Sequence, residues 1–307
     1  MKIVINPAYR RLEEFVKYLP SVFPKEGNVI YSARNILKSF RVDDTDLVVK
    51  SFKVPIWVNK IAYGYFRKSK AARSYEYALE VLRRGGDTPD PVAYIEEYKW
   101  GMLYRSYYIC LYRKEAETVR SYMDGSIPDA DDVLRCFAGF TAGLHRKGIL
   151  HIDYSPGNIL LEKGEDGQHR FSVIDINRLC FKKVSRKEAY RNFSRLAVSE
   201  EVSTRLGYWY ADCCALDKDE AIREVNRYSD RFFLKLTFKL LAKRIKKERG
   251  IGAVLFGPIQ LFFILRWSNN YFRKGQKSGA IYNKERSLYH RYIKELDIRK
   301  VLEKDYL

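Results

Sequence analysis

"HIDYSPGNILL", residues 151–161, is followed at residues 171–177 by "FSVIDIN". The first stretch sets Asp153 five positions before Asn158 and runs straight into the apolar Ile159, Leu160 and Leu161. The second ends an apolar run on Asp175. Between them lies "GEDG", 164–167, a strong turn signal between two runs of strand-forming residues. The pattern predicts a β-hairpin with an amide at its entrance and a carboxylate at its exit. A second carboxylate and His151 stand in the tight loop before it.

Upstream, residues 1–55 read as strand-rich. "NVIYS" (28–32), "ILKSFRV" (36–42) and "DLVVKSF" (46–52) are β-branched and aromatic runs, with a turn at the "DDTD" of 43–46. Lys50 lies within the third run. A helix is predicted from about Lys68 to Arg84, because Ala72, Tyr75, Leu79 and Leu82 recur at helical spacing and Gly85-Gly86 follows. Glu76 borders that stripe. Two more strands, "VAYIEEY" (92–98) and "SYYICLY" (106–112), precede a polar stretch, 113–120, able to join two lobes. From Asp129 the pattern turns helical, with Val133, Phe137, Phe140 and Leu144 on one stripe and Gly148 ending it. Beyond Lys182 the chain reads mostly helical and very basic.

This order resembles the protein-kinase-like fold. The matching residues are Lys50 in "VVK", Glu76 in "RSYEYALEVL", His151, Asp153 and Asn158 in "HIDYSPGN", and Asp175 in "VIDIN". The Asp-to-Asn spacing of the catalytic loop is kept. The resemblance implies an α+β bilobal chain: a sheet-rich N-lobe over residues 1–113 and a mainly helical C-lobe over 114–307. It also implies roles. Phosphoryl transfer needs positioning and charge neutralisation more than covalent help. Asp175 and Asn158 would hold Mg²⁺, which prefers hard oxygen ligands. Asp153 would orient the acceptor hydroxyl and take its proton. Lys50 would hold the α and β phosphates of ATP, with Glu76 pairing with it. His151 would brace the loop, ATP would lie near Tyr112, and Arg178 would meet an acidic group of the acceptor.

Three features depart from the pattern. The glycine-rich phosphate loop is absent; "YSARN", 31–35, stands in its place, with Ser32 and Asn35 as backbone donors instead. The metal motif reads Asp175-Ile176-Asn177, not Asp-Phe-Gly, and no Ala-Pro-Glu or activation loop follows. These losses fit a kinase of a small molecule or glycolipid. Among such kinases the chain is similar to the bacterial lipopolysaccharide-core sugar kinases that phosphorylate Kdo or heptose. "LHRKGILHIDYSPGNILL" (144–161), "FSVIDINRLCF" (171–181) and the basic "NFSRL" (192–196) carry that likeness. Two alternatives stay open: a kinase of the aminoglycoside or choline type, and a catalytically inactive kinase-like binding protein.

Composition bounds the partners. The formal charge is +19, from 57 Lys+Arg against 38 Asp+Glu, which suits phosphate-rich or anionic partners. Tyr63 to Tyr75 interleaves aromatics with cations as a nucleic-acid groove does, but no known nucleic-acid module accompanies it. Five cysteines, without any C-x-x-C pair, argue against a disulfide framework and for a reducing cytoplasm. The opening "MKIVINPAYRRLEEF" has no apolar core of signal-peptide length. The apolar run 251–265, "IGAVLFGPIQLFFIL", is shorter than the roughly 20 residues of a span and is broken by Pro258 and Gln260. With cationic flanks at 241–250 and 266–277 it predicts peripheral docking on an anionic inner leaflet, or a buried helix with solvated ends.

Overall fold

The computed structural model describes residues 1–33, 35–52, 68–123, 127, 130–164, 167–197 and 199–249, with side chains of the last helix given to 236 except 234. The apolar run at 251–265, its second basic flank, Lys53 and much of the aromatic stretch before Lys68 lie outside those residues. The architecture mixes sheet and helix in two compact units. The first comprises Met1–Glu117 and Arg170–Phe181; the second comprises Thr118–His169 and Lys182–Leu307.

The first unit is built on a six-stranded antiparallel sheet. Its strands are β1 (Lys2–Ile5), β2 (Asn28–Ser32), β3 (Ile36–Val42), β4 (Thr45–Phe52), β5 (Pro91–Lys99) and β6 (Met102–Leu111), in the order β1-β5-β6-β4-β3-β2. Alternation along β4 puts Leu47 and Val49 in the core and turns Lys50 to the opposite face. The register sets Lys50 beside Tyr108 of β6 and Leu37 of β3. Asp43, at the turn before β4, adopts φ 50°, a left-handed conformation that Asp tolerates.

The N-terminal region is not all strand. Pro7–Leu12 forms 3₁₀ turns and Glu13–Val22 forms helix α1. Leu12, Val16, Leu19 and Phe23 recur at helical spacing and join Leu47, Val49, Ile95, Tyr107 and Ile109 in one apolar cluster. A single face of the sheet thus gains a helical cover, which short β-like runs do not announce. Gly27 follows, at φ 85°; a Cβ there would come within 2.5 Å of the Phe40 ring. Only glycine meets both demands.

Helix α2 (Lys70–Arg83) packs against the other face, its Tyr75 ring 5.4 Å from Tyr94 of β5. The Ser69 hydroxyl caps it by accepting from the Ala72 N–H at 3.0 Å. At its end, the N–H of Gly86 returns to the Val81 carbonyl, with Gly85 at φ 72°.

The second unit is mainly helical. It holds α3 (Asp131–Arg146), α4 (Arg186–Asn192), α5 (Glu200–Cys214) and α6 (Lys218–Arg249). The predicted stripe of α3 is buried at Val133, Phe137 and Leu144, while Phe140 is half-buried. Gly148, at φ 68°, lets the chain turn into the strand Ile149–His151. Ser185 and Glu188 form a reciprocal capping box at the start of α4. Only 182–185 separate this helix from the strand Leu179–Phe181, so no room exists there for a long activation loop. Among the described residues no helix is long and apolar enough to cross a membrane.

Candidate active site

The first unit carries the lysine and the hairpin-exit carboxylate. Backbone and side-chain bonds at Asp87 and Thr88 anchor the returning strand: the Val173 N–H donates to the Asp87 carbonyl at 3.0 Å, and the Thr88 hydroxyl donates to the Val173 carbonyl at 2.7 Å. Farther on, the Phe181 ring meets Tyr77 of α2 edge-on at 5.3 Å. Asp175 lies between these two anchors. Its φ of 53° and ψ of 45° are left-handed, a conformation that costs energy in a non-glycine residue and is held here from both sides.

That geometry brings Asp175 to Lys50. The ammonium donates to Asp175 Oδ1 at 2.6 Å, although the two residues lie 125 positions apart. Both are half-buried, Asp175 the more exposed, so each charge offsets part of the other's partial desolvation. Asn177 Nδ2 also donates to Asp175 Oδ1, at 2.6 Å. The asparagine that replaces the usual glycine therefore fixes the carboxylate directly.

Glu76 does not pair with Lys50 here. It takes both oxygens to Lys68, at 2.7 and 2.8 Å, near the start of α2. Lys50 is satisfied by Asp175, and Lys68 stands eight residues from Glu76 on the same helical approach, which is the shorter reach. Ser32 ends β2 and Asn35 lies just before β3; the Ala33 N–H donates to the Asn35 carbonyl at 3.2 Å across the turn. Tyr112 follows β6 and its N–H donates to the Asp46 carbonyl. Arg178 is exposed on the 3₁₀ turn Ile176–Arg178.

The second unit carries the loop. The Asp153 N–H donates to His151 Nδ1 at 3.1 Å, and Asn158 Nδ2 donates to the Asp153 carbonyl at 2.8 Å. His151 is buried, and so is Tyr154, whose ring stacks on Phe137 and whose hydroxyl meets Thr141 at 2.8 Å. The loop is pinned to α3 by an aromatic side chain and closed on itself by its own asparagine. Because the Asn158 nitrogen is used in that closure, its remaining polar atom is an amide oxygen. Each unit thus offers one hard oxygen donor of the kind a small divalent cation takes: this amide oxygen in the second and the Asp175 carboxylate in the first.

Three further residues support the loop; they lie in stretches that carry the family likeness, 144–161 and 192–196, but no role is read for them there. Asn192, the last residue of α4, donates to the His151 carbonyl at 2.8 Å and accepts from His145 Nε2 at 3.1 Å. His145 Nδ1 in turn accepts from the Tyr210 hydroxyl at 2.9 Å. These partners define a neutral imidazole with its proton on Nε2, and burial holds its pKa down at about 4. Arg195 makes an ion pair with Asp153 Oδ1. "NFSRL" contains both Asn192 and Arg195, yet no spacing rule links them to a loop some forty residues earlier.

A kinase-like phosphotransferase is the class that this sheet, its lysine–carboxylate pair and the Asp/Asn loop define. Residues 66–218 match the model of the lipopolysaccharide kinase (Kdo/WaaP) family. The chain belongs to that family, and so to the phosphotransferases that act on a sugar hydroxyl. A solved structure described as WaaP in complex with acyl carrier protein shares the fold: the TM-score is 0.52 at 15% identity, over 75% of this chain and 99% of that one. No curated protein sequence matches the chain.

Proposed function

We propose that the protein transfers the γ-phosphate of ATP to a hydroxyl of Kdo or heptose in the inner core of a lipopolysaccharide precursor. The contact between Lys50 and Asp175 carries the reading, because it joins a phosphate-binding cation to a metal-binding carboxylate from opposite ends of the motif. Lys50 holds the α and β phosphates. Asp175 and Asn158 would hold Mg²⁺, which would supply neutralisation of phosphate charge. Asp153 orients the acceptor hydroxyl and receives its proton. His151 braces the loop. Ser32 and Asn35 offer backbone donors in place of a glycine-rich loop, Tyr112 borders the nucleotide, and Arg178 meets an acidic group of the acceptor.

The lipid-linked acceptor places the protein at the cytoplasmic face of the inner membrane, as a peripheral enzyme. Trp100 supports that placement among the described residues. It is 93% exposed at the tip between β5 and β6, next to Lys99 and near Arg105, whose cationic groups lie over the Tyr104 ring. Aromatic rings flanked by cations suit an anionic headgroup layer.

The deciding experiment is mass spectrometry of purified lipopolysaccharide precursors after incubation with protein and MgATP. The expected result is a gain of one phosphate on the core sugar. Asp153→Ala should cut the transfer rate by roughly 10²- to 10⁴-fold while ATP binding is kept. Equal rates would remove Asp153 from its role, and a phosphate gain on free aminoglycoside or choline alone would move the protein to that other kinase class.

A further inference from the structure

The loop from His151 to Leu161 contains no lysine or arginine. Its only basic-type residue is His151, which is buried under the loop and accepts a hydrogen bond from Asp153. A loop that aims a carboxylate at an alcohol, next to a transferring phosphoryl group, thus concentrates negative charge without a cation of its own. Its one acid, Asp153, repels the phosphate oxygens as readily as it orients the hydroxyl.

The structure brings a cation in from elsewhere. Arg195 ends the 3₁₀ turn Phe193–Arg195, just after α4. The turn is rooted in the core: Phe193 is fully buried with its ring 5.0 Å from Tyr210, and Leu196 and Ala197 are buried on the other side. The side chain leaves this fixed backbone, lays its guanidinium over the Phe232 ring at 5.3 Å, and reaches Asp153 Oδ1. About a quarter of each side chain is exposed, at 25% for Arg195 and 24% for Asp153. The pair is therefore partly desolvated but still open to an incoming molecule, where a charge–charge contact exceeds its worth on a free surface.

We propose that Arg195 is a positioning residue for phosphotransfer. Its guanidinium fixes the Asp153 carboxylate toward the acceptor hydroxyl and supplies, on the acceptor side, the positive charge that the loop lacks. Phe232 holds the guanidinium plane in place. The inference rests on the kinase reading above and goes beyond it by assigning this role to a residue outside the motif.

The test is a double-mutant cycle of Arg195 with Asp153, measured as phosphate transfer from MgATP to a purified lipopolysaccharide precursor beside wild type. Arg195→Ala should lower kcat by about 10²-fold, the size of one lost preorganised charge, with the KM for ATP within about twofold. Arg195→Lys should recover part of the loss. In an Asp153→Asn background, Arg195→Ala should cost little more, because the partner is already gone. Full additivity of the two changes, or Arg195→Ala with wild-type kcat, overturns the proposal. If Arg195→Ala fails to fold, Arg195→Lys and Arg195→Gln, checked by melting temperature, carry the same cycle. A wild-type protein that transfers no phosphate overturns the kinase reading and this inference together; an active wild type with an indifferent Arg195 overturns this inference alone.

Discussion

His145 shows how a single buried side chain links the core to the loop. Its ring is satisfied as a neutral group between Tyr210 and Asn192, and Asn192 holds the His151 carbonyl. The unfolded chain takes up a proton near pH 6.5, the folded chain only near about 4. Stability from this site is therefore complete above pH 6.5 and declines as pH falls toward 4. At pH 5 the loss is roughly 2 kcal/mol. Melting temperature should drop between pH 7 and pH 5 by about 4 °C more in wild type than in His145→Gln. Parallel curves would show that another group controls the acid limb. The order and spacing of a motif singled out Lys50, Asp153, Asn158 and Asp175, and the structure joins Lys50 to Asp175 and Asn158 to the Asp153 carbonyl. His145, Asn192 and Arg195 were not singled out, because their contacts depend on how α3, α4 and α5 pack.

Helix α2 illustrates the limit of pairing residues by motif alone. Of the stripe read from sequence, Ala72 and Tyr75 are buried, Leu82 is half-buried and Leu79 is exposed; the face that meets the sheet runs through Ala71, Ala72, Tyr75, Ala78 and Val81, and the partner of Glu76 is chosen by reach. The Lys68–Glu76 pair is substantially exposed, so Glu76→Gln should change stability by less than about 1 kcal/mol in chemical denaturation. Glu76→Gln should leave ATP affinity within about threefold of wild type, whereas Lys50→Met weakens it by about tenfold or more. A matching loss in both variants would mean that nucleotide binding moves Glu76 onto Lys50. A second element-scale constraint sits where α5 meets α6. A Cβ on Gly207 would stand 3.1 Å from the Ile222 Cα and 3.3 Å from the Ala221 carbonyl oxygen, both backbone atoms that cannot swing aside. Gly207→Ala should destabilise the protein by about 1–3 kcal/mol, read from the denaturation midpoint. An unchanged midpoint would show that the two helices separate at little cost.

Charge is the property that belongs to the whole molecule. A surplus of +19 acts at long range and favours anionic partners. Under the proposed docking, Trp100 would add a local contact: it stands at φ 50° on the turn between β5 and β6 and is largely exposed. Co-sedimentation with phosphatidylglycerol vesicles should be strong at about 0.05 M salt and weak at about 0.5 M, as screening shortens the reach of the charge. Trp100→Ser should reduce the bound fraction at intermediate salt, and the tryptophan emission of wild type should shift to the blue on binding. Equal binding by both proteins would take Trp100 out of the contact and leave charge alone.

The amino-acid sequence by itself determined the strands from Asn28 to Phe52, the helix bearing Glu76, the hairpin and the Asp/Asn loop. Each rests on a local period, a turn residue or a fixed spacing, and such signals survive without a partner. Residues 12–23 carry a helical period, at Leu12, Val16, Leu19 and Phe23, that a strand-rich reading of 1–55 passes over; only the tertiary structure decided that Lys50 meets Asp175 and that Asp153 meets Arg195. Helix α1 forms because the sheet offers an apolar face to cover. The two ion pairs form because a charge withdrawn from water takes the opposite charge that packing brings within reach, wherever that charge lies along the chain.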